Sequence, residues 1–242
     1  MNPKSKFELS PSPSVLIVVA HPDDEILGFG GSAALLTSQG TPVSTCILSR
    51  SVDARNNRPA LAELERQSLE AHRIVGAQRI LWADFPNIQL NTVAHIKLVQ
   101  TIEQAISESS ATAIFTHHPG DLNDDHRHVS KACQAAARLF QRREGVSRLQ
   151  GLYFMEVLSS TDWSFETVDR FQPTSFLEIG SPNLELKIKA LAQYEDVMKP
   201  YPHPRSSEAI RALAALRGAQ AGMLYAESFQ LVFSNLATSF CV

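Results

Sequence analysis

Short runs of apolar and β-branched residues alternate along the chain with longer stretches whose apolar positions recur at helical spacing. "VLIVVA" (15–20), "PVSTCILS" (42–49), "RILWADF" (79–85) and "ATAIFTHH" (111–118) are short and rich in Val, Ile and Thr, and they predict strands. The segments 25–39, 59–75, 91–109 and 126–143 predict helices; in the third, Val93, Ile96, Val99 and Ile102 repeat at threefold spacing. Strands that alternate with helices in this way argue for a mostly parallel sheet with helices on both faces.

The second half is less regular. "LQGLYFMEV" (149–157), "PTSFLEI" (173–179) and Ser228–Phe233 predict three more strands, with helices from about 182 and 206. No internal repeat or low-complexity linker interrupts the chain. We therefore expect one α/β domain over 1–242, with residues 1–13 a flexible N-terminal segment and the C-terminal third an elaboration of the same sheet. In open parallel sheets, ligands sit beyond the carboxyl ends of the strands. That gathers "HPDDE" (21–25), "SRSVDAR" (49–55) and "HHPGDLNDDHRH" (117–128) along one edge.

The first of these motifs ends an apolar strand in a histidine, a proline and three acids. Pro22 disfavours helical geometry for His21, so His21 should stay extended while the chain turns into a helix just after it. His21 and Asp24 can then converge on a divalent cation. His126, at the start of the helix after the fourth strand, is the best third ligand for zinc or another divalent transition metal. Asp23, between the first two, can face the attacking water as general base. A plainer reading lets Asp23, Asp24 and Glu25 complement a helix dipole at ~0.3–1 kcal/mol each. It leaves His21 and the second His- and Asp-rich loop without a role. "GFGGS" (28–32) is a poor dinucleotide cradle, because three carboxylates occupy the turn where bare N–H groups are needed. Gly28, Gly30 and Gly31 are expected instead to let the first helix pack close to the sheet, and no G-x-S-x-G elbow is present for a serine hydrolase.

Composition narrows the partners. A net charge of −3 with 19% charged residues gives no basic surplus for a nucleic-acid backbone. Cys46, Cys133 and Cys241 form neither a disulfide framework nor a Cys-x-x-Cys metal site. The polar N-terminus has no apolar signal core, and no stretch reaches the ~18 apolar residues of a membrane span. A cytoplasmic protein without a membrane span is expected.

"AHPDDE" with a downstream "HHPGDLNDDH" resembles the PIG-L/LmbE-like family of zinc-dependent N-deacetylases. The resemblance extends to "FPN" (85–87), "HPRSSEAIRALAALRG" (203–218) and "AGMLYAESF" (221–229). It implies a Rossmann-like α/β fold and removal of an acetyl group from an N-acetylglucosamine-type sugar that is free, nucleotide-linked or part of a small glycoside. It also implies His21, Asp24 and His126 as zinc ligands and Asp23 as base. Some members carry a histidine, used for the oxyanion or the leaving group, where this chain has Asn123. Attention shifts to His118 and His203 for that role, with Asn123 on the substrate. Asn87 stands where members often have Asp, and Arg50 is similar to family arginines that face the sugar. Arg205 and Glu227 belong to the resembling C-terminal segments, as substrate contacts or, for Glu227, as a buried partner of Arg217. Asp121, in the "HHPGD" turn, is expected either to orient His21 or His126 through a hydrogen bond or to be an ordinary turn residue. In some relatives a C-terminal loop completes a neighbour's pocket, which would make "YPHPRS" act in trans in a homo-oligomer. The rival readings are an amidase acting on a thiol conjugate or another small acylated metabolite, and a metal-containing sugar-binding protein that does not cleave.

Overall fold

Alternate side chains of the first strand, Val15–Val19 (β1), enter two different apolar cores, which is what a central strand covered on both faces requires. The computed structural model describes residues 13–52, 58–165 and 169–235. The N-terminal segment apart from Pro13, Cys241 and part of the 49–55 motif lie outside them. Val15, Ile17 and Val19 pack with α1 (Asp24–Ser38), α2 (Leu61–Val75) and α5 (Gly180–Leu191). Leu16 and Val18 pack on the other side with α3 (His95–Ser109) and α4 (Asp124–Ala136). Each fully buried aliphatic side chain of this kind contributes roughly 1.5–3 kcal/mol.

Around β1 the sheet runs β3-β2-β1-β4-β5-β7-β6, with β2 Val43–Ile47, β3 Arg79–Trp82, β4 Ala113–His117, β5 Gly151–Met155, β6 Ser175–Glu178 and β7 Ala226–Ser234. The first five strands are parallel. β7 is antiparallel to both β5 and β6, so the C-terminal third completes the sheet by hairpin-like pairing. A sixth helix, α6 (Ser207–Ala221), precedes β7. The chain leaves β1 toward β2 and β3, then crosses back to β4, and a crevice opens at that switch beyond the carboxyl ends of β1 and β4.

The expected elements are present with shifted ends. The helix anticipated over 91–109 is a short 3-10 turn, Leu90–Thr92, followed by α3. The one anticipated over 126–143 starts at Asp124 and gives way to a 3-10 stretch at Ala137. Its early start has a cause: the Asn123 side chain caps the helix by accepting the Asp125 N–H at 2.9 Å. Gly28 has the packing role expected of it, since a Cβ there would lie 2.6 Å from Met155 Sδ of β5; at Gly30 and Gly31 the nearest neighbours outside α1 are Lys187 of α5 and Ile179 at its start, so these two glycines let α1 approach α5. Among the described residues, no helix is long and apolar enough to cross a membrane.

Candidate metal centre

The strand-to-helix turn after β1 has an unusual backbone. Asp23 occupies the N-cap of α1 with φ 106° and ψ −29°, and its side chain makes no capping hydrogen bond. A non-glycine residue held at positive φ outside a loose turn is a costly state, of order 1–3 kcal/mol. Here it presents the Asp23 carboxylate to a cavity of about 350 Å³, which His21, Asp24, Asn87, Asn123, His126 and Arg205 also line.

Three of these side chains face one another. His21 Nδ1 lies 3.3 Å and His126 Nε2 lies 3.2 Å from the same oxygen, Asp24 Oδ2. His126 Nε2 is fully buried, and its contact with Asp24 falls short of hydrogen-bond geometry, leaving the nitrogen without a hydrogen bond among the described residues. The far nitrogen of each ring is anchored by a different aspartate. His21 Nε2 is 3.1 Å from Asp125 Oδ2, and His126 Nδ1 is 3.2 Å from Asp121 Oδ1. Asp125 is itself fixed by the N–H groups of Ile88 (2.7 Å) and Leu90 (2.9 Å). Asp121 accepts from the hydroxyls of Ser160 and Thr161 and from the Asn123 N–H. Carboxylates behind histidines set the tautomer, so that the near nitrogen offers a lone pair. His21, Asp24 and His126 thus form a group that can hold a metal ion, with ligand atoms all within 4.8 Å of one another. The orphaned, buried His126 Nε2 fits such an ion. A second grouping, His117, Asp121 and His126, is equally compact. Asp121 is already committed to several donors there, so it serves as an anchor.

The electrostatics agree. Burial disfavours a charged His126, yet Asp24 and Asp121 outweigh it and raise the ring to about 10. His21 is raised in the same way, with Asp125 and Asp24 overcoming burial. Asp24, against its own burial, is held well below the usual carboxylate range by His126, His21 and His117. A site that retains protons this firmly has a field that favours any cation. His117 lacks a carboxylate hydrogen bond, and burial pushes it down to about 3. Its Nε2 accepts the Ala20 N–H at 2.9 Å, and its ring stacks on His126 at 3.7 Å between centroids. Glu25 is also unusual: burial lifts it to about 8 although the Tyr194 hydroxyl bonded to it pulls the other way.

The remaining candidates divide. Asn87, Asn123 and Arg205 line the cavity, and Arg205 Nη1 stands 3.7 Å from Asp23 Oδ2. His118 does not face it: the ring is edge-on to Phe154 and Phe171, and Nδ1 accepts the Gly120 N–H. His203 lies outside the cavity lining and accepts the Arg205 N–H, so its contact with the site runs through the turn that carries Arg205. Arg50 is turned to Glu65 and stands over Trp82. Glu227 is buried against α1, accepting the N–H groups of Gly31 and Ser32 and pairing with Lys187 at 2.6 Å. The anticipated Arg217–Glu227 pair does not form; Arg217 pairs with Glu156 instead. Sequence reasoning passed over Asp125, His117, Ser160 and Thr161. For Asp125 a signal existed, since it adjoins His126 in an acidic first turn.

An α/β protein with a His/Asp group at its topological switch is a class that known proteins share. Residues 16–137 match the family described as PIG-L: GlcNAc-PI de-N-acetylase. This is half the chain and includes the whole His21–Asp24–His126 group, and the chain belongs to that family. It is 26% identical over 132 residues to the uncharacterized deacetylase YaiS of Escherichia coli K12, covering 51% of this chain and 68% of that protein. It is 27% identical over 139 residues to a probable N-acetyl-alpha-D-glucosaminyl L-malate deacetylase 2 of Bacillus cereus, covering 54% of this chain and 63% of that one. The conserved protein TT1542 of Thermus thermophilus superimposes with a TM-score of 0.75 at 25% identity, over 92% of this chain and 96% of its own. GalB of Pseudomonas putida KT2440, a 4-carboxy-2-hydroxymuconate hydratase, gives 0.72 at 21% identity over 92% and 97%, a likeness of fold alone.

Proposed function

We propose that this protein is a zinc-dependent N-deacetylase that hydrolyses the acetamide of an N-acetylglucosamine-type sugar to acetate and a free amine. A hydratase shares the fold, so the reaction follows from the site and not from the architecture. The observation that carries it is the convergence of His21 Nδ1 and His126 Nε2 on Asp24 Oδ2, with Asp23 lining the same cavity. The family description and the Bacillus cereus relative, each named for an acetylated glucosamine, supply the substrate class.

His21, Asp24 and His126 would hold the ion. Zinc there supplies a Lewis acid that eases both the deprotonation of water and the build-up of charge on the amide oxygen. Asp23 takes a proton from the attacking water as its oxygen bonds to the carbonyl carbon. It returns that proton to the nitrogen as the C–N bond breaks, so the amine leaves neutral. Arg205 Nη1, 3.7 Å from Asp23 Oδ2, places a positive charge beside the base. Asn123 spends its Oδ1 on capping α4 and keeps its Nδ2 donor for the substrate, and Asn87 offers an amide to a sugar hydroxyl. Arg205 Nε is buried with no partner among the described residues and suits an oxygen of the sugar or of its substituent.

The test is acetate release from a panel of N-acetylglucosamine derivatives by metal-stripped protein, with and without zinc, beside a D23N control. Zinc-dependent release that the control abolishes is expected. Stoichiometric zinc binding with no release from any derivative would transfer the reading to another amide or to a sugar-binding protein.

A further inference from the structure

We propose that Tyr194 is a positioning residue for Asp23 and acts through Glu25; the proposal rests on the reading of Asp23 as the base. Tyr194 comes from the turn after α5, in the part of the chain beyond the family match. It is a fully buried side chain at 2% exposure, although it carries a hydroxyl. That hydroxyl donates to Glu25 Oε1 at 2.5 Å. The other carboxylate oxygen, Glu25 Oε2, accepts the backbone N–H of Asp23 at 3.0 Å.

This link falls on the residue whose backbone most needs holding. With φ at 106°, the peptide between Pro22 and Asp23 is turned so that its N–H points back at Glu25. If that peptide relaxed to ordinary negative φ, the N–H would leave Glu25 and the Asp23 side chain would swing with the backbone. The bond from Glu25 therefore selects the arrangement that presents Asp23 to the cavity. Glu25 alone is a flexible anchor, with several rotamers open to it. The phenol removes that freedom by gripping the second oxygen, which leaves the first aimed at the Asp23 N–H. His72 does not replace it, since its Nδ1 lies 4.0 Å from Glu25 and is already bonded to the Ser68 carbonyl. Every buried hydroxyl needs a partner; what singles out Tyr194 is that its partner is the same carboxyl group that holds the Asp23 N–H. Proton transfer is sensitive to misplacement on the scale of an ångström, so this anchoring acts mainly on turnover: the two histidine ligands are held by Asp121 and Asp125, and Asp24 by the His21 N–H at 3.1 Å.

The test is Y194F, which keeps the ring and removes the oxygen, studied at a temperature where both proteins are fully folded. We expect kcat to fall by about 10- to 100-fold with KM and zinc affinity within about twofold of wild type. Hydrogen exchange of the Asp23 amide, resolved by NMR, should quicken by about tenfold or more. E25Q and E25A form a second pair. The glutamine can keep its oxygen on the Asp23 N–H while its NH2 donates to the tyrosine oxygen, so E25Q should protect that amide better than E25A, and turnover should follow the same order. Wild-type protection of Asp23 in Y194F would overturn the proposal, as would lost protection with unchanged kcat. If Y194F does not fold, equal protection in E25Q and E25A would overturn it. If the wild type releases no acetate from any sugar, the functional reading fails by itself, and loss of the Asp23 amide's protection in Y194F would still support the link.

Discussion

Each of the two histidines divides its ring between an aspartate behind and a carboxylate in front, and this division makes separate predictions for separate residues. Asp125 touches His21 only on the far nitrogen. D125A should therefore leave the three ligands in place and lower zinc affinity by about 10- to 100-fold, because the ring loses both its tautomer control and its orientation. Titration against a competing chelator measures this, and an unchanged affinity would remove Asp125 from the site. D23N is expected to do the converse, binding zinc normally while turnover falls by about 10²- to 10⁴-fold; normal turnover would end its role as base. "HPDDE" was legible because its residues are neighbours in sequence and the proline fixes their geometry. The pair His117–His118 was harder. Adjacent residues at the end of a strand point to opposite faces, so one of the two meets Asp24 and the other the Phe154 side, and the register that decides between them is set by pairing with β1 and β5. Asp125 is one of two acids in the first turn of α4, and only the fold brings it 3.1 Å from a residue 104 positions away.

At the scale of elements, the parallel body could be read from the sequence because its strands are continuous apolar runs and α2, α3 and α4 each keep one apolar stripe. The antiparallel β7–β6 edge could not, since pairing direction leaves little trace in a half-exposed strand. Glu227 shows the consequence: in sequence it resembles a pocket residue, and in the fold it clamps the middle of α1. Its oxygens take the N–H groups of Gly31 and Ser32, while its partner Lys187 donates to the Leu27 carbonyl at 2.7 Å. Removing one member of a buried pair leaves the other charge stranded, so E227A should cost about 3–5 kcal/mol of stability. Urea unfolding would measure it, and a loss below about 1 kcal/mol would show that water or another group reaches Lys187. The junction of α2 and β2 has a pH dependence of its own. His72 donates from Nδ1 to the Ser68 carbonyl at 2.8 Å, and its Nε2 accepts from the Thr45 hydroxyl at 2.9 Å, so the neutral ring is fully satisfied. Burial pushes it down from 6.5 to about 4. Between those values the unfolded chain binds the proton and the folded one does not. Stability is therefore complete above about pH 7 and falls by roughly 3 kcal/mol as pH drops through about 4. H72Q should flatten this part of the curve when unfolding is followed at pH 7.5 and pH 4.5; an identical slope in the variant would assign the dependence to other groups.

For the whole molecule, the ligands matter as much for where they are attached as for what they bind. His21 and Asp24 follow β1, and His126 follows β4, so the group spans the point where the chain reverses its direction of winding. An ion held by all three ties the loops on the two sides of that point. The unfolded chain cannot bring together residues more than a hundred positions apart, so binding energy appears as folding stability. At a free zinc concentration about 100 times the dissociation constant the gain is about 2.7 kcal/mol, enough for a rise of several degrees in Tm for a chain of this length. Thermal unfolding of metal-stripped protein with added zinc should show that rise, and chelator should reverse it. D24A is the decisive control, because Asp24 Oδ2 is the atom on which both histidines converge. The variant should keep the fold, which the two apolar cores hold independently of this edge, and lose most of the shift. A zinc-induced rise of equal size in D24A would mean that the ion binds elsewhere on the folded chain. Because the measurement needs no substrate, it tests the metal centre whatever amide the protein hydrolyses.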